Sequence, residues 1–366
     1  MNILFLTTHF NPGGISSYTI SLARSLRKRH HKIFVASSGG SLVSALEHEG
    51  STHVILPIRT KSELSPKVLF SICKLKRFVK QHNIDVIHAQ TRVTQVVAFW
   101  VSKITGIPFV ATCHGFFKPR FSRRHFPCWG KKVVAISKAV QRHLIDDFAV
   151  DAQSIELVYN GIDIDAIEPV TPRQTEEFRK NLNLQSAIPT VGIIARLSSV
   201  KGHSILIQAV RKVIERGNKV QLLIVGDGGL EKSLIDLTQR LHIENSVFFA
   251  PSNNNLSLLL SAMDVFVMPS LQEGLGLSIM EAQARGLAVI ASKVGGIPEL
   301  VVHYKTGLLV SAQDVEGLAS AIVQITEDKA LAEALGNNAR EHINAYFSLT
   351  TMAEKMEALY NSVLKN

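Results

Sequence analysis

Residues 190–225 read TVGIIARLSSVKGHSILIQAVRKVIERGNKVQLLIV. Thr190–Ile194 and Gln221–Val225 are short apolar runs, and His203–Arg216 between them repeats its apolar residues at helical spacing. A strand, a helix and a second strand in this order place the strands parallel, since so long a crossover cannot make a hairpin. The unit recurs along the chain. Before it lie strand-like runs at Asn2–Leu6, Lys32–Ala36, His53–Leu56, Val86–His88, Phe109–Thr112, Val133–Ile136 and Glu156–Val158, with a helical stretch at Ser17–Arg29. After it come Val247–Phe249, Asp264–Met268, Ala288–Ala291 and Gly307–Val310, with a helical stretch at Leu277–Arg285. The polar segment Asp163–Ser186, containing Pro169 and Pro172, separates the two series. The fold class is therefore α/β, with two doubly wound domains expected over 1–165 and 166–349. No repeat of 20–50 residues is seen, which sets solenoids aside. Open sheets of this class take ligands beyond the carboxyl ends of their strands, so a shared site is expected in a cleft across which the domains face.

Composition narrows the class. Of 366 residues, 46% are hydrophobic and 19% charged, with 23 Gly and 12 Pro, which excludes disordered and collagen-like chains. Cys73, Cys113 and Cys128 form no CxxC pair, which argues against a disulfide framework and a structural zinc site and fits a reducing, cytoplasmic setting. Met1–Leu6 lacks a basic leader region and reads as a buried strand. The runs Val93–Ser102 and Leu256–Leu271 are shorter than the roughly 20 residues of a membrane span, and Asp264 interrupts the second. Net charge is +10, but it is unevenly spread. Met1–Asn160 holds 22 Lys and Arg against 8 Asp and Glu, a balance of +14, while the remainder holds 18 against 22, or −4. That asymmetry points to a polyanion, either nucleic acid or an anionic membrane.

Candidate anion-binding residues sit at strand ends. Arg196 closes the run from Val191, and Lys201-Gly202 opens the next helix, where unpaired N–H groups already favour negative charge. A planar fork and a mobile point charge suit a diphosphate, although either residue alone reads better as a solvated surface cation. After Pro269-Ser270, the run Glu273-Gly274-Leu275-Gly276-Leu277-Ser278-Ile279-Met280-Glu281 combines a glycine turn with a helix start. Its glycines admit close backbone approach, and ionised Glu273 and Glu281 can each accept from vicinal hydroxyls of a sugar or a ribose. The plainer alternative makes one a helix-dipole partner and the other an ordinary exposed residue. In the first series, Gly13-Gly14 precedes a helix and reads as an anion loop or a tight turn. His114, just past the end of the strand read at Phe109–Thr112, would alone be read as structural.

Taken together, these residues resemble the group-one nucleotide-sugar glycosyltransferases, retaining enzymes of the GT-B fold with two Rossmann-like domains. The resemblance is carried by Pro12-Gly13-Gly14, His114-Gly115, Asn160-Gly161-Ile162-Asp163, Arg196 with Lys201-Gly202, and Gly226-Asp227-Gly228. Above all it rests on Pro269-Ser270 through Glu273, Glu281-Ala282, Gly286 and Gly295-Gly296-Ile297-Pro298-Glu299. It implies a nucleotide diphosphate sugar as donor and a saccharide or lipid-linked acceptor on the N-terminal side, as in cell-envelope polysaccharide or lipopolysaccharide synthesis. No cofactor and no metal are implied. The roles it implies are Arg196 and Lys201 on the donor diphosphate, Glu273 with the backbone of Gly274, Leu275, Gly276 and Leu277 on the donor sugar, and Glu281 on the ribose. His114 would lie by the transferred sugar and Gly14 by phosphate or acceptor; Gly226 belongs to the donor-binding set. Departures occur at Phe249-Ala250-Pro251, where the family often has Phe-x-Gly, and at Gln90, where a histidine is common. Asp163-Ile164-Asp165 mimics a metal-binding pair, but it falls in the linker and is not expected to bind one. The resemblance also implies that the final helix, near Thr350–Leu364, packs back on the first domain as a hinge element for closure.

The excess charge clusters at Arg27–Lys32, Lys74–Lys80 and in 116–129, where Phe116, Phe117, Phe121, Phe126 and Trp129 interleave with Lys118, Arg120, Arg123 and Arg124. Such a loop suits a membrane interface, and it could also stack on single strands. A lipid-linked acceptor favours the membrane, with the enzyme peripheral on its inner face and nucleic acid not a partner. A partly buried loop with a charged rim is the alternative. Other functions weighed are a GT-B epimerase or phosphorylase, a lipid- or nucleic-acid-binding protein with a decayed nucleotide site, and a dehydrogenase. The last is disfavoured by the spacing of Gly226-Asp227-Gly228-Gly229.

Overall fold

The computed structural model describes residues 1–164, 167–252 and 255–365. The chain forms two compact units: Met1–Gly161 with Phe347–Asn366, and Ile162–Tyr346. Asp165 and Ala166, the expected boundary and the second acid of the Asp-Ile-Asp motif, lie outside the described residues.

The first unit holds seven strands: β1 (Asn2–Leu6), β2 (Lys32–Ser37), β3 (Thr52–Ile55), β4 (Val86–Ala89), β5 (Phe109–Cys113), β6 (Lys132–Ala135) and β7 (Ile155–Leu157). They pair in the order β3-β2-β1-β4-β5-β6-β7, all parallel. β1, β4 and β5 are buried almost throughout, which is why they read as unbroken apolar runs and not as alternating ones. The order reverses between β1 and β4, so the loops leaving these two strands diverge and open a crevice at their carboxyl ends.

The second unit holds β8 (Thr190–Ile194), β9 (Gln221–Val225), β10 (Val247–Ala250), β11 (Val265–Met268), β12 (Ala288–Ser292) and β13 (Leu308–Val310). Their order is β10-β9-β8-β11-β12-β13, again parallel, and the reversal falls between β8 and β11. Polar caps set where helices begin. Thr171 with Gln174 forms a capping box ahead of Pro172, and Asp314 accepts from the Gly317 N–H.

The C-terminal helix Leu349–Lys365 belongs to the first unit. It packs on the Gly14–Lys28 helix through Met352, Ala353, Met356, Leu359, Tyr360 and Val363. Glu357 receives Arg29 at 2.6 Å and His31 at 2.8 Å, and Lys131 donates to the Val363 carbonyl at 3.1 Å. Its deepest anchor is polar. Tyr360, fully buried, hydrogen-bonds His88 Nδ1 at 2.7 Å, and His88 Nε2 meets Thr112 Oγ1 at 2.7 Å. Burial, and secondarily the unfavourable coupling to a second protonation at His114, lowers the His88 pKa to about 3, so the ring is neutral, with one nitrogen donating and the other accepting. Gly161 is fitted to the start of this helix: a side chain there would come 2.6 Å from the Ser348 carbonyl oxygen.

Tyr360→Phe removes one partner of a buried ring nitrogen and is expected to destabilise the protein by about 1–3 kcal/mol. Urea denaturation measures this, and a loss under about 0.5 kcal/mol would show that the pair does not anchor the helix.

Candidate active site

The site of the second unit is built where β8 and β11 send their loops apart. The β8 loop carries Arg196 and, after a short turn at Ser199–Lys201, enters the His203–Glu215 helix through Gly202. The β11 loop runs Pro269–Gly276 into the Leu277–Ala284 helix. The two are stitched together, since the Leu271 N–H donates to the Val200 carbonyl at 2.8 Å. Gly202 has φ +71°, and a Cβ there would stand 2.0 Å from the Pro269 carbonyl oxygen, so both conformation and space demand glycine. This close approach brings together side chains 72 residues apart: Lys201 Nζ forms a salt bridge with the Glu273 carboxylate, both largely shielded from water. The Glu273 carbonyl is held in turn by the Gly296 N–H at 3.1 Å.

Arg196 is exposed, and its guanidinium has no partner among the described residues. Its loop is braced by the turn after β9. Leu197 N–H donates to the Asp227 carbonyl at 3.0 Å, and side chains at Gly226 and Gly228 would come within 2.0 and 2.3 Å of the Ala195 and Leu197 carbonyl oxygens. Gly226 thus shapes the site by letting two backbones pass.

Gly276, at φ +113°, opens the Leu277–Ala284 helix in a left-handed conformation. Among the described residues the N–H groups of Gly274, Leu275 and Gly276 find no protein acceptor, so this turn presents open donors at a helix start. Leu275 can contribute only backbone, because its side chain is core; Leu277 is half-buried. Glu281, five residues into the helix, is half-buried, and burial pushes its carboxyl up to about 7. No described residue bonds its carboxylate. Two cations, two carboxylates and open N–H groups on the segments leaving one strand reversal are groups with the chemistry to hold an anionic group joined to a polyol.

In the first unit, Gly14 is exposed and is the first residue of the Gly14–Lys28 helix, after Gly13 at φ +154°. His114 follows β5, with the edge of Tyr18 at a ring separation of 4.9 Å. Its Nε2 hydrogen-bonds Gln90 Oε1 at 2.6 Å, and burial lowers its pKa to about 3, so the ring acts as a neutral donor and acceptor and not as a cation. Sequence reading missed Gln90 as the partner of His114; the signal was its place at the end of β4, beside β5.

The loop 116–129 corrects an expectation. Arg123 is only 6% exposed and lies 3.9 Å from the Phe117 ring centre, with Trp129 and Phe148 at 5.7 and 6.0 Å. Cys128 and Trp129 are buried, and Phe126 packs edge-on against Phe99. Arg123 is therefore an internal cation–π element, and of the interleaved cations and rings Lys118, Arg120, Phe121 and Arg124 are the ones exposed to solvent. Among the described residues no cluster of three metal-ligating side chains occurs, and no helix is long and apolar enough to cross a membrane.

Residues 12–166 match the Glycosyltransferase Family 4 and residues 174–342 the Glycosyl transferases group 1. The chain is 27% identical to a D-inositol 3-phosphate glycosyltransferase of Corynebacterium diphtheriae, covering 98% of this chain and 94% of that one. It is 26% identical to an Escherichia coli UDP-Gal:alpha-D-GlcNAc-diphosphoundecaprenol alpha-1,3-galactosyltransferase, over 82% and 81% of the two. Anabaena HepE, solved in complex with UDP-glucose, superposes with a TM-score of 0.88 at 27% identity, covering 99% of this chain and 100% of the other. The fold is that of a sugar-transferring enzyme with the GT-B architecture. The chain belongs to the glycosyl transferases group 1 family, and the dehydrogenase, epimerase and decayed-site readings give way to glycosyl transfer.

The raised Glu281 carboxyl has a signed consequence. In the unfolded chain the group titrates near 4.5 and in the folded one near 7, so the native state holds the extra proton between these values and stability falls as pH rises through them. Glu281→Gln is expected to flatten that part of the stability profile and to be relatively more stable at pH 8 than at pH 4. Parallel wild-type and variant profiles would refute the shift.

Proposed function

We propose that the enzyme transfers a sugar, with retention of anomeric configuration, from a nucleoside diphosphate sugar to a saccharide or lipid-linked acceptor in cell-envelope polysaccharide or lipopolysaccharide synthesis. The carrying observation is the shielded Lys201–Glu273 pair, on the same two loops as Arg196 and the N–H groups of Gly274–Gly276, which have no partner among the described residues. As the anomeric bond breaks, negative charge builds on the diphosphate and positive charge on the sugar ring. Arg196 and Lys201 neutralise the first, while Glu273 and the turn hold the sugar hydroxyls. Glu281, once ionised, accepts from the ribose hydroxyls. His114, held by Gln90, offers the transferred sugar a neutral hydrogen-bonding edge, and the Gly14 helix start serves phosphate or acceptor.

Retention follows from attack on the face the diphosphate leaves, with a leaving phosphate oxygen taking the acceptor proton. The side chains named need no metal for this. The UDP-glucose complex of HepE supports a UDP-sugar as donor, and the diphosphoundecaprenol named for the Escherichia coli relative supports a lipid-linked acceptor. The enzyme then works in the cytoplasm, peripheral to the inner membrane face. The exposed Lys118, Arg120, Phe121 and Arg124 of the loop meet anionic lipid, not nucleic acid.

Incubation with UDP-, GDP- and ADP-sugars, reading release of the nucleoside diphosphate, identifies the donor. With that donor, Glu273→Gln and Lys201→Ala are each expected to slow transfer at least about 100-fold, roughly 3 kcal/mol of transition-state stabilisation. Near-normal turnover in both would remove their roles. Product anomeric configuration by NMR tests retention, and unchanged rates in EDTA test metal independence.

A further inference from the structure

The most exposed large apolar side chains of the first unit are Leu64 at 94%, Phe121, Ile55, Leu69 and Phe70. Four of these five converge on the helix Pro66–Gln81. Val68, Ser71, Ile72, Leu75 and Val79 face inward, while Leu69, Phe70, Cys73, Arg77 and Lys80 recur at three- and four-residue spacing along the outer side. Ile55 is drawn to this helix by Lys74, whose Nζ donates to its carbonyl at 2.8 Å. Leu64 immediately precedes Ser65, whose hydroxyl caps the helix.

The surrounding charge has one sign. Pro66–Gln81 contains Lys67, Lys74, Lys76, Arg77 and Lys80 and no acid, and Lys61 adds another cation. The neighbouring acid Glu63 is engaged by Arg92 through two hydrogen bonds of 2.8 Å. The same guanidinium donates to the carbonyls of Phe126 and Pro127, at 2.7 and 2.6 Å, so it clamps the Leu64 turn to the loop bearing Phe121 and Arg124.

We propose that the outer side of the Pro66–Gln81 helix, with the turn at Leu64, is a docking surface for an anionic lipid bilayer. Aliphatic tips enter the acyl boundary, and the lysines and arginine beside them meet anionic headgroups. Charge complementarity together with exposed aliphatic tips selects this occupant: a second copy would set six cations against six, and a nucleic acid would find Phe70 as the single ring among the four apolar side chains and leave Ile55, Leu64 and Leu69 in water. The proposal deepens the membrane part of the proposed function by giving the leading role to this helix instead of the loop 116–129, and it does not depend on the donor site.

Cys73 lies on the outer line and is exposed, whereas Cys113 and Cys128 are buried, so a thiol-reactive, environment-sensitive fluorophore reports from the centre of the face. With vesicles of phosphatidylglycerol and phosphatidylcholine, the label is expected to shift to the blue as the protein cosediments. Phosphatidylcholine alone should give neither effect. Leu69→Ser with Phe70→Ser, and separately Lys76→Glu with Arg77→Glu, should each weaken binding at least about 10-fold, as should about 0.5 M salt for the wild type. Because these side chains are exposed, thermal unfolding and nucleotide binding should be unchanged.

Three results would overturn the proposal: cosedimentation with the Cys73 label still in water; binding abolished by Arg120→Glu with Arg124→Glu but untouched by the helix variants; or a blue shift without vesicles that tracks dimer formation in sedimentation velocity. If no activated sugar is turned over while docking behaves as expected, the proposed reaction falls and this surface stands.

Discussion

The second unit of this enzyme depends on one close approach, that of Gly202 to the Pro269 carbonyl. A Cβ on Gly202 would stand 2.0 Å from that carbonyl oxygen, so there is no room for a methyl group, and the left-handed conformation independently disfavours one. The Val200–Leu271 hydrogen bond fixes the same approach from the other side. Lys201 and Glu273 can form a pair only because their backbones are pinned in this way. Apart from the single 3-10 turn at Ser199–Lys201, neither loop has regular structure of its own at these positions, so the geometry comes from the parallel register of β8 and β11 beneath them. Precision at the site is thus inherited from the sheet, as expected of loops carried on a rigid scaffold.

The first unit solves a comparable problem with buried polar groups. His88 and His114 are both kept neutral by burial, and each is oriented by hydrogen bonds from neighbouring elements: Tyr360 and Thr112 for one, Gln90 for the other. A neutral ring is costly to bury unless both nitrogens are matched, and His88 has both. Through Tyr360 the C-terminal helix becomes part of the support beneath the β5 loop, although it lies more than 200 residues away in sequence.

Much of this was legible in the sequence, for definite reasons. Parallel strands buried on both faces appear as apolar blocks, so β8 and β9 were placed to the residue, whereas β3 and β6, with weaker edges, were displaced by one. Arg196, Lys201, Glu273 and Glu281 stood out because strand ends and glycine turns mark where ligands approach. The pairing of Lys201 with Glu273 was not visible, since it arises from strand order and not from periodicity. Arg123 was misread for a related reason: alternating cations and rings describe an interfacial loop and an internal cation–π stack equally well, and only burial separates them. Gln90 looked like the loss of a histidine until β4 and β5 were seen side by side, with its amide on His114.

The Lys201–Glu273 pair also constrains how binding energy is used under the proposed reaction. In the free protein each charge satisfies the other, so neither is left buried and alone. When a donor enters, its diphosphate replaces Glu273 as the partner of Lys201, and sugar hydroxyls replace Lys201 as the partner of Glu273. The ion pair is exchanged for a phosphate contact at Lys201 and hydroxyl contacts at Glu273, so the loss of the pair offsets part of what ground-state binding gains from the swap. The gain comes later. As the anomeric bond lengthens, the phosphate oxygens become more negative and the sugar more positive, so both new contacts strengthen while the old ion pair would not have changed. The pair therefore keeps the site assembled without ligand and directs its electrostatic strength to the transition state, which is the condition for raising turnover and not merely affinity.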